Sequence, residues 1–164
     1  VERWVPERFR DNLLLMGFAI TKIPMIAFLR PSVVSKTSQK LDLKIPLTWR
    51  SKNHLGSMYF GALSVGADLG FGLLAMEIIN EEKKKSGKDV SLVFKDFDAK
   101  FLKRPEGDTH FICESGDEIR ALVDQAIQTG QRVERKIPVY ATVPTKLGSE
   151  KVAEFQHTLS IKTK

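Results

Sequence analysis

From Leu63 to Ile79 the chain is almost continuously apolar or small, and this run limits its possible folds more than any other feature. It is 17 residues long, short of the roughly 20 that a membrane-spanning helix needs. Asp68 and Glu77 lie inside it, and a carboxylate near the centre of a bilayer costs a few kcal/mol. A helix that is apolar on every side is better placed where the rest of a domain surrounds it. The chain is therefore expected to be a soluble, cytoplasmic domain with this helix, about Met58–Lys85, at its centre and Gly87 at its end.

The surrounding layer is written in residues that alternate. Leu41, Leu43, Ile45, Leu47 and Trp49 point one way and Asp42, Lys44, Thr48 and Arg50 the other, which predicts a half-buried strand. Pro46 within it suits a sheet edge or a bulge. Strands are also expected at Phe97–Phe101, at Thr109–Cys113 after the Pro105-Glu-Gly107-Asp turn, at Ile137–Val143 and at Ala153–Ile161, with a loop over Pro144–Ser149. Ser115-x-x-Glu118 has the capping-box pattern and opens a short helix that Gly130 stops. Two helices precede the first strand, one over 6–15 and one over Pro24–Leu29. This order predicts an α+β fold, an antiparallel sheet wrapped around one long central helix. Residues 1–164 form a single domain on this reading, with 1–30 a helical segment packed on it. At 18.5 kDa such a domain buries roughly 70% of its extended-chain surface.

One residue does not suit a purely structural helix. Around Asp68, at i−7, i−4, i+4 and i+7, stand Gly61, Ser64, Gly72 and Ala75, all small. That face is a groove a ligand or another chain can approach. A carboxylate there must meet donors, water or a substrate; the structural alternative is a bond to neighbouring backbone or to Ser64. Lys and Arg exceed Asp and Glu by 26 to 20, a formal charge of +6. The excess suits an anionic partner such as coenzyme A, acidic lipid or nucleic acid, or simply a solvated surface. No run interleaves basic and aromatic residues as RNA-binding motifs do, which argues against nucleic acid. One cysteine, Cys113, excludes a disulfide, and with the scattered His54, His110 and His157 it lacks the spacing of a metal site. Charges spread through Glu2–Asp11 do not form a signal-peptide pattern.

The stretch Asn53-His54-Leu55-Gly56-Ser57-Met58-Tyr59-Phe60-Gly61-Ala62-Leu63-Ser64-Val65-Gly66-Ala67-Asp68 resembles the loop and central helix of hotdog-fold thioesterases. It is similar to the PaaI-like group and to a sister branch with an Asn-His-x-Gly and Gly-Ala signature. The resemblance extends over most of the chain through the order of its elements. It implies hydrolysis of acyl-CoA or related thioesters, with coenzyme A entering only as part of the substrate and no separate cofactor. It places Asp68 where the family has its catalytic carboxylate, as general base on water or as nucleophile. Asn53 takes the position of an asparagine that orients water or the thioester carbonyl. Amides around Phe60 and Gly61 would polarise that carbonyl, which suits the positive end of a helix. His54, Gly56 and Ser64 complete the substrate-binding set.

Family members of this kind place the site between subunits, so a dimer or dimer of dimers is implied, with Asp68 facing Asn53 of a second copy. The chain departs from the PaaI-like pattern at His-Gly-Gly, where it has Tyr59-Phe60-Gly61. Phe60 at the first glycine leaves a second possibility, a non-catalytic acyl-binding or regulatory protein. Elsewhere His157 is expected as a satisfied core histidine and Cys113 as an inert core thiol. Lys83, Lys84, Lys85 and Lys88 are expected to favour the helix C-terminus. Lys103 and Arg104 are surface charges that could also meet phosphates. The N-terminal segment with Trp4, Phe9 and Leu13–Leu15 is expected to pack over the sheet rather than lie on a membrane.

Overall fold

A computed structural model describes residues 6–163; Trp4 and the charges at the very start lie outside the described residues. Helices α1 (Glu7–Lys22) and α2 (Pro24–Leu29) come first, then strands β1 (Ser32–Lys36) and β2 (Leu41–Ile45). The long helix α3 (Phe60–Ser86) follows. After it come β3 (Val90–Phe101), β4 (Thr109–Cys113), helix α4 (Gly116–Thr129), β5 (Val133–Thr142), the one-turn α5 (Pro144–Leu147) and β6 (Lys151–Thr163). The six strands form one antiparallel sheet in the order β1-β2-β4-β5-β6-β3. This is the expected α+β hotdog architecture, with α3 packed against β2, β4 and β5 of the sheet.

The alternating strands work as their pattern implies. Leu41, Leu43 and Ile45 of β2 pair with Cys113, Phe111 and Thr109 of β4, and all six are buried. Twelve residues of α3 are buried, from Ala62 to Glu82. Among the described residues α3 is the helix long and apolar enough to cross a bilayer, and most of that apolar stretch is buried in the core. Phe111 seats its ring against Gly66 so closely that a Cβ there would lie 2.3 Å from ring carbons. Glycine at 66 is thus a packing requirement of the helix–sheet contact.

Several boundaries differ from the sequence reading for physical reasons. Helix α1 runs on to Lys22, and β1 is an unpredicted strand whose five residues carry too short an alternation to stand out. Strand β2 stops at Ile45, before Pro46, and Trp49 is exposed rather than inward. The Leu47 N–H donates to Asp108 Oδ1 at 2.9 Å instead of to a neighbouring strand. Strand β3 starts at Val90, and its expected inward residues Phe97 and Phe101 are exposed because it lies at the sheet edge. Pro144–Leu147 forms a helical turn within the expected loop. Ser115 makes no side-chain cap, because it is buried where Gly116 packs against the backbone of Ser38 and Gln39. Pro138 sits within β5 at no cost in pairing, since the β4 ladder reaches only Tyr140–Thr142.

Candidate active site

Asp68 opens from α3 into a cavity of about 430 Å³. Three elements build it: Ser64, Val65 and Asp68 on successive turns of α3; Phe94, Lys95, Asp96 and Phe97 on β3; and His157 on β6. The β3 contribution depends on a bulge. Phe94 pairs with Leu159 and Phe97 with His157, so two residues, Lys95 and Asp96, oppose the single Thr158. Bulges of this kind redirect side chains beside functional sites. Here Thr158 Oγ1 donates to Asp96 Oδ1 at 2.6 Å and Lys95 pairs with Glu134 at 2.8 Å.

Asp68 makes no hydrogen bond or ion pair among the described residues. Ser64, the expected structural partner, donates instead to the carbonyl of Phe60 at 2.9 Å. Burial alone raises the Asp68 pKa above the ordinary carboxylate value, because a low dielectric disfavours the charged form. The small face behaves as read: a Cβ added at Gly72 would lie 3.6 Å from the ring of Phe94.

His157 corrects the expectation of a satisfied core histidine. It is 3% exposed, and its Nδ1 is a buried nitrogen with no partner among the described residues. Rings surround it, with centroids of Phe97 at 4.7 Å and Phe71 at 4.8 Å. Burial lowers its pKa to about 4, the nearby Asp96 opposing this only in part. At neutral pH it is an uncharged imidazole in the same cavity as Asp68. Its in-phase position with Phe155 and Leu159 was visible in the sequence; the missing partner was not, since that depends on what β3 and α3 bring opposite it.

The remaining predicted residues gather elsewhere. Asn53 organises its own turn: its Oδ1 accepts from the N–H groups of Leu55 (2.9 Å) and Ser57 (3.3 Å), and its Nδ2 donates to Ser57 Oγ at 3.1 Å. His54 is exposed, and Gly56 has a left-handed φ of 79° that closes the turn. The loop is tied to the helix start by Tyr59 N–H donating to Ser51 O at 2.7 Å. Among the described residues no side chain caps α3, so the first-turn amides of Phe60 and Gly61 have no capping partner. The Tyr59 ring overlies Gly61, where a Cβ would lie 2.6 Å from its Cε1. Asn53, His54, Gly56, Phe60 and Gly61 do not line the Asp68 cavity of their own chain.

Cys113 is buried with its thiol pKa pushed up to about 11 by desolvation, an inert core position as expected. Lys83 pairs with Asp89, Lys85 with Glu82, and Lys88 donates to the carbonyl of Ile127. Lys103 pairs with Glu150, while Arg104 donates to Leu55 O and pairs with Glu106. A second cavity, about 480 Å³, lies between α1, β1 and α3 and contains none of the predicted site residues. Among the described residues no three His, Cys, Asp or Glu side chains stand together as a metal-binding group.

Comparison with known proteins agrees with this architecture. Residues 12–161 match a family described as a domain of unknown function, DUF4442. No curated protein matches the sequence. A Pseudomonas aeruginosa structure described as a protein of unknown function and "Probable Thioesterase" is 22% identical, with a TM-score of 0.76 over 98% of this chain and 97% of that one. A mutant thioesterase from the same organism is 13% identical, with a TM-score of 0.68 over 99% and 98%. A thioesterase from Haemophilus influenzae is 13% identical, with a TM-score of 0.62 over 87% and 85%. At these identities what is shared is the fold.

Proposed function

This chain belongs to the DUF4442 family, a domain of unknown function, and for it we propose hydrolysis of acyl thioesters, acyl-CoA foremost, by a carboxylate-assisted mechanism. The observation that carries the proposal is Asp68, a partner-less carboxylate opening into an apolar cavity in a fold shared with proteins called thioesterases. Water held by Asp68 attacks the thioester carbonyl and gives its proton to the carboxylate. The tetrahedral oxyanion then collapses, the C–S bond breaks, and the thiolate takes the proton back from Asp68. General-base assistance of this kind contributes roughly 10²–10⁴ in rate.

The site requires a second copy of the chain on this reading. Phe60 and Asp68 are eight residues apart on one helix, about 12 Å along its axis, too far to serve one carbonyl. The open edge of β3, with Val93, Phe94, Phe97 and Phe101 exposed, is suited to pair with its own copy. That pairing brings the uncapped helix start and the Asn53 loop of one subunit toward the Asp68 of the other. Asn53 and the Phe60 and Gly61 amides would then orient water and hold the oxyanion.

The test is cleavage of acyl-CoAs of several chain lengths by wild type and Asp68→Asn. Activity falls at least 100-fold in the variant. Mixing Asp68→Asn with Asn53→Ala subunits, each weak alone, restores one complete site per pair. Activity of Asp68→Asn equal to wild type excludes the carboxylate mechanism, and no recovery on mixing excludes a shared site. The Tyr59 ring lying over Gly61 favours one other reading, an acyl-CoA-binding protein without turnover. Calorimetric binding with no cleavage of any thioester identifies it.

A further inference from the structure

Helix α1 is apolar on two opposite faces. Leu15 and Ala19 are buried against the sheet side, while Phe9, Leu13 and Ile20 form an exposed stripe on the far side. A second apolar face on a surface helix needs a partner. The exposed stripe runs on into α2, where Met25 and Phe28 point outward while Ile26 and Leu29 are buried. Beyond them Trp49 is 68% exposed, with its ring 5.6 Å from that of Phe28.

Cations frame this surface. The Arg50 guanidinium lies 5.0 Å from the Trp49 ring and 5.7 Å from that of Phe28. Arg10, Arg30 and Arg50 take part in no ion pair among the described residues, whereas Lys22, seven residues on from Leu15, lies on the buried side of α1. Arg30 holds a left-handed conformation at the end of α2, φ 52°, where glycine costs nothing. Within residues 6–30, Arg and Lys number four against two acids, and one of those acids, Asp11, is already paired with Lys36.

We propose that the outer face of α1 and α2, with Trp49 and Arg50, docks on an anionic lipid membrane. Large apolar side chains enter the headgroup boundary, Trp49 anchors at the interface, and the unpaired cations meet lipid phosphates. Charge decides between this occupant and a second copy. A two-fold contact would set this positively charged patch against an identical positive patch, whereas an anionic surface answers all of its cations. Topology supports it too, because α1 packs at β1, at the opposite sheet edge from β3 and about 24 Å away across five strand spacings. The edge available for subunit pairing and the lipid-facing surface therefore do not compete.

Co-sedimentation with vesicles of phosphatidylcholine alone, or mixed equally with phosphatidylglycerol, tests the proposal on the full chain. Binding is expected to the mixed vesicles, to fall steeply with salt, and to blue-shift Trp49 emission in a Trp4→Phe background. Each basic residue near an anionic surface contributes about fivefold, so R10E/R30E/R50E weakens partitioning about 100-fold or more. F28S/W49S weakens it without changing the salt dependence. Arg50 is half-buried and the other positions are exposed, and circular dichroism checks that the variants fold. The proposal is overturned by no vesicle binding, by equal binding to both vesicle types, or by loss of a subunit contact in the variants.

Discussion

Asp68 and His157 share one cavity and are perturbed in opposite senses. Burial holds the Asp68 carboxyl above its ordinary pKa, so its native form is most stable at low pH, and stability is lost as the carboxyl ionises. At neutral pH the charge is a cost to the fold. Asp68→Asn therefore raises the melting temperature at pH 7 while removing activity; a lower melting temperature shows Asp68 to be a structural residue instead. His157 has the opposite linkage. With a value of about 6.5 unfolded and about 4 folded, the unfolded chain takes up a proton that the native chain refuses between those limits. Stability falls as pH drops from 6.5 to 4, by about 3 kcal/mol. His157→Phe, which removes the unpartnered nitrogen, flattens the unfolding free energy across that window; an unchanged slope assigns the effect to other groups. Asp68 was legible in the sequence as the one charge on a small helix face. The isolation of His157 was not, because an in-phase histidine on a strand looks the same whether or not the opposite layer provides a donor.

At the scale of elements, the central helix was the most readable part of the chain, since its length, apolar character and terminal Gly87 are all local properties. What it leans on was not readable. Gly66 looks like any flexible residue until Phe111 is seen inserted beside it. Gly66→Ala is expected to cost about 3 kcal/mol through overpacking, measured by urea unfolding, and Phe111→Leu recovers part of that loss. Full stability in Gly66→Ala alone means the ring can move aside and the contact is loose. Strand phases were read well where both faces of the sheet differ, as in β2 and β4. They failed at β3, whose Phe97 and Phe101 alternate like core residues. Alternation reports that one face is apolar, and at an edge that face can be waiting for another molecule. Trp49 misled in the same way, being in phase with Leu43 and Ile45 beyond the point where Pro46 ends the strand.

For the whole molecule, the sheet order sets two ends with different exposure. At one, α1 covers β1 and turns a second apolar face outward; at the other, no strand among the described residues pairs with the outer edge of β3. If subunits pair through β3, specific activity depends on protein concentration and falls on dilution with the dimer population, which paired activity and sedimentation measurements follow. Activity per chain that is constant through dissociation excludes a shared site. The twelve residues of β3 carry a further consequence. A long strand edge with exposed Val93, Phe94, Phe97 and Phe101 is a template for fibrillar growth when it has no cap, and only the bulge at Lys95–Asp96 and charges such as Lys100 interrupt it. If subunits pair through β3, solubility and that pairing are linked: a variant that weakens the contact is expected to precipitate with its helices and sheet still intact, its insolubility reporting lost assembly rather than misfolding.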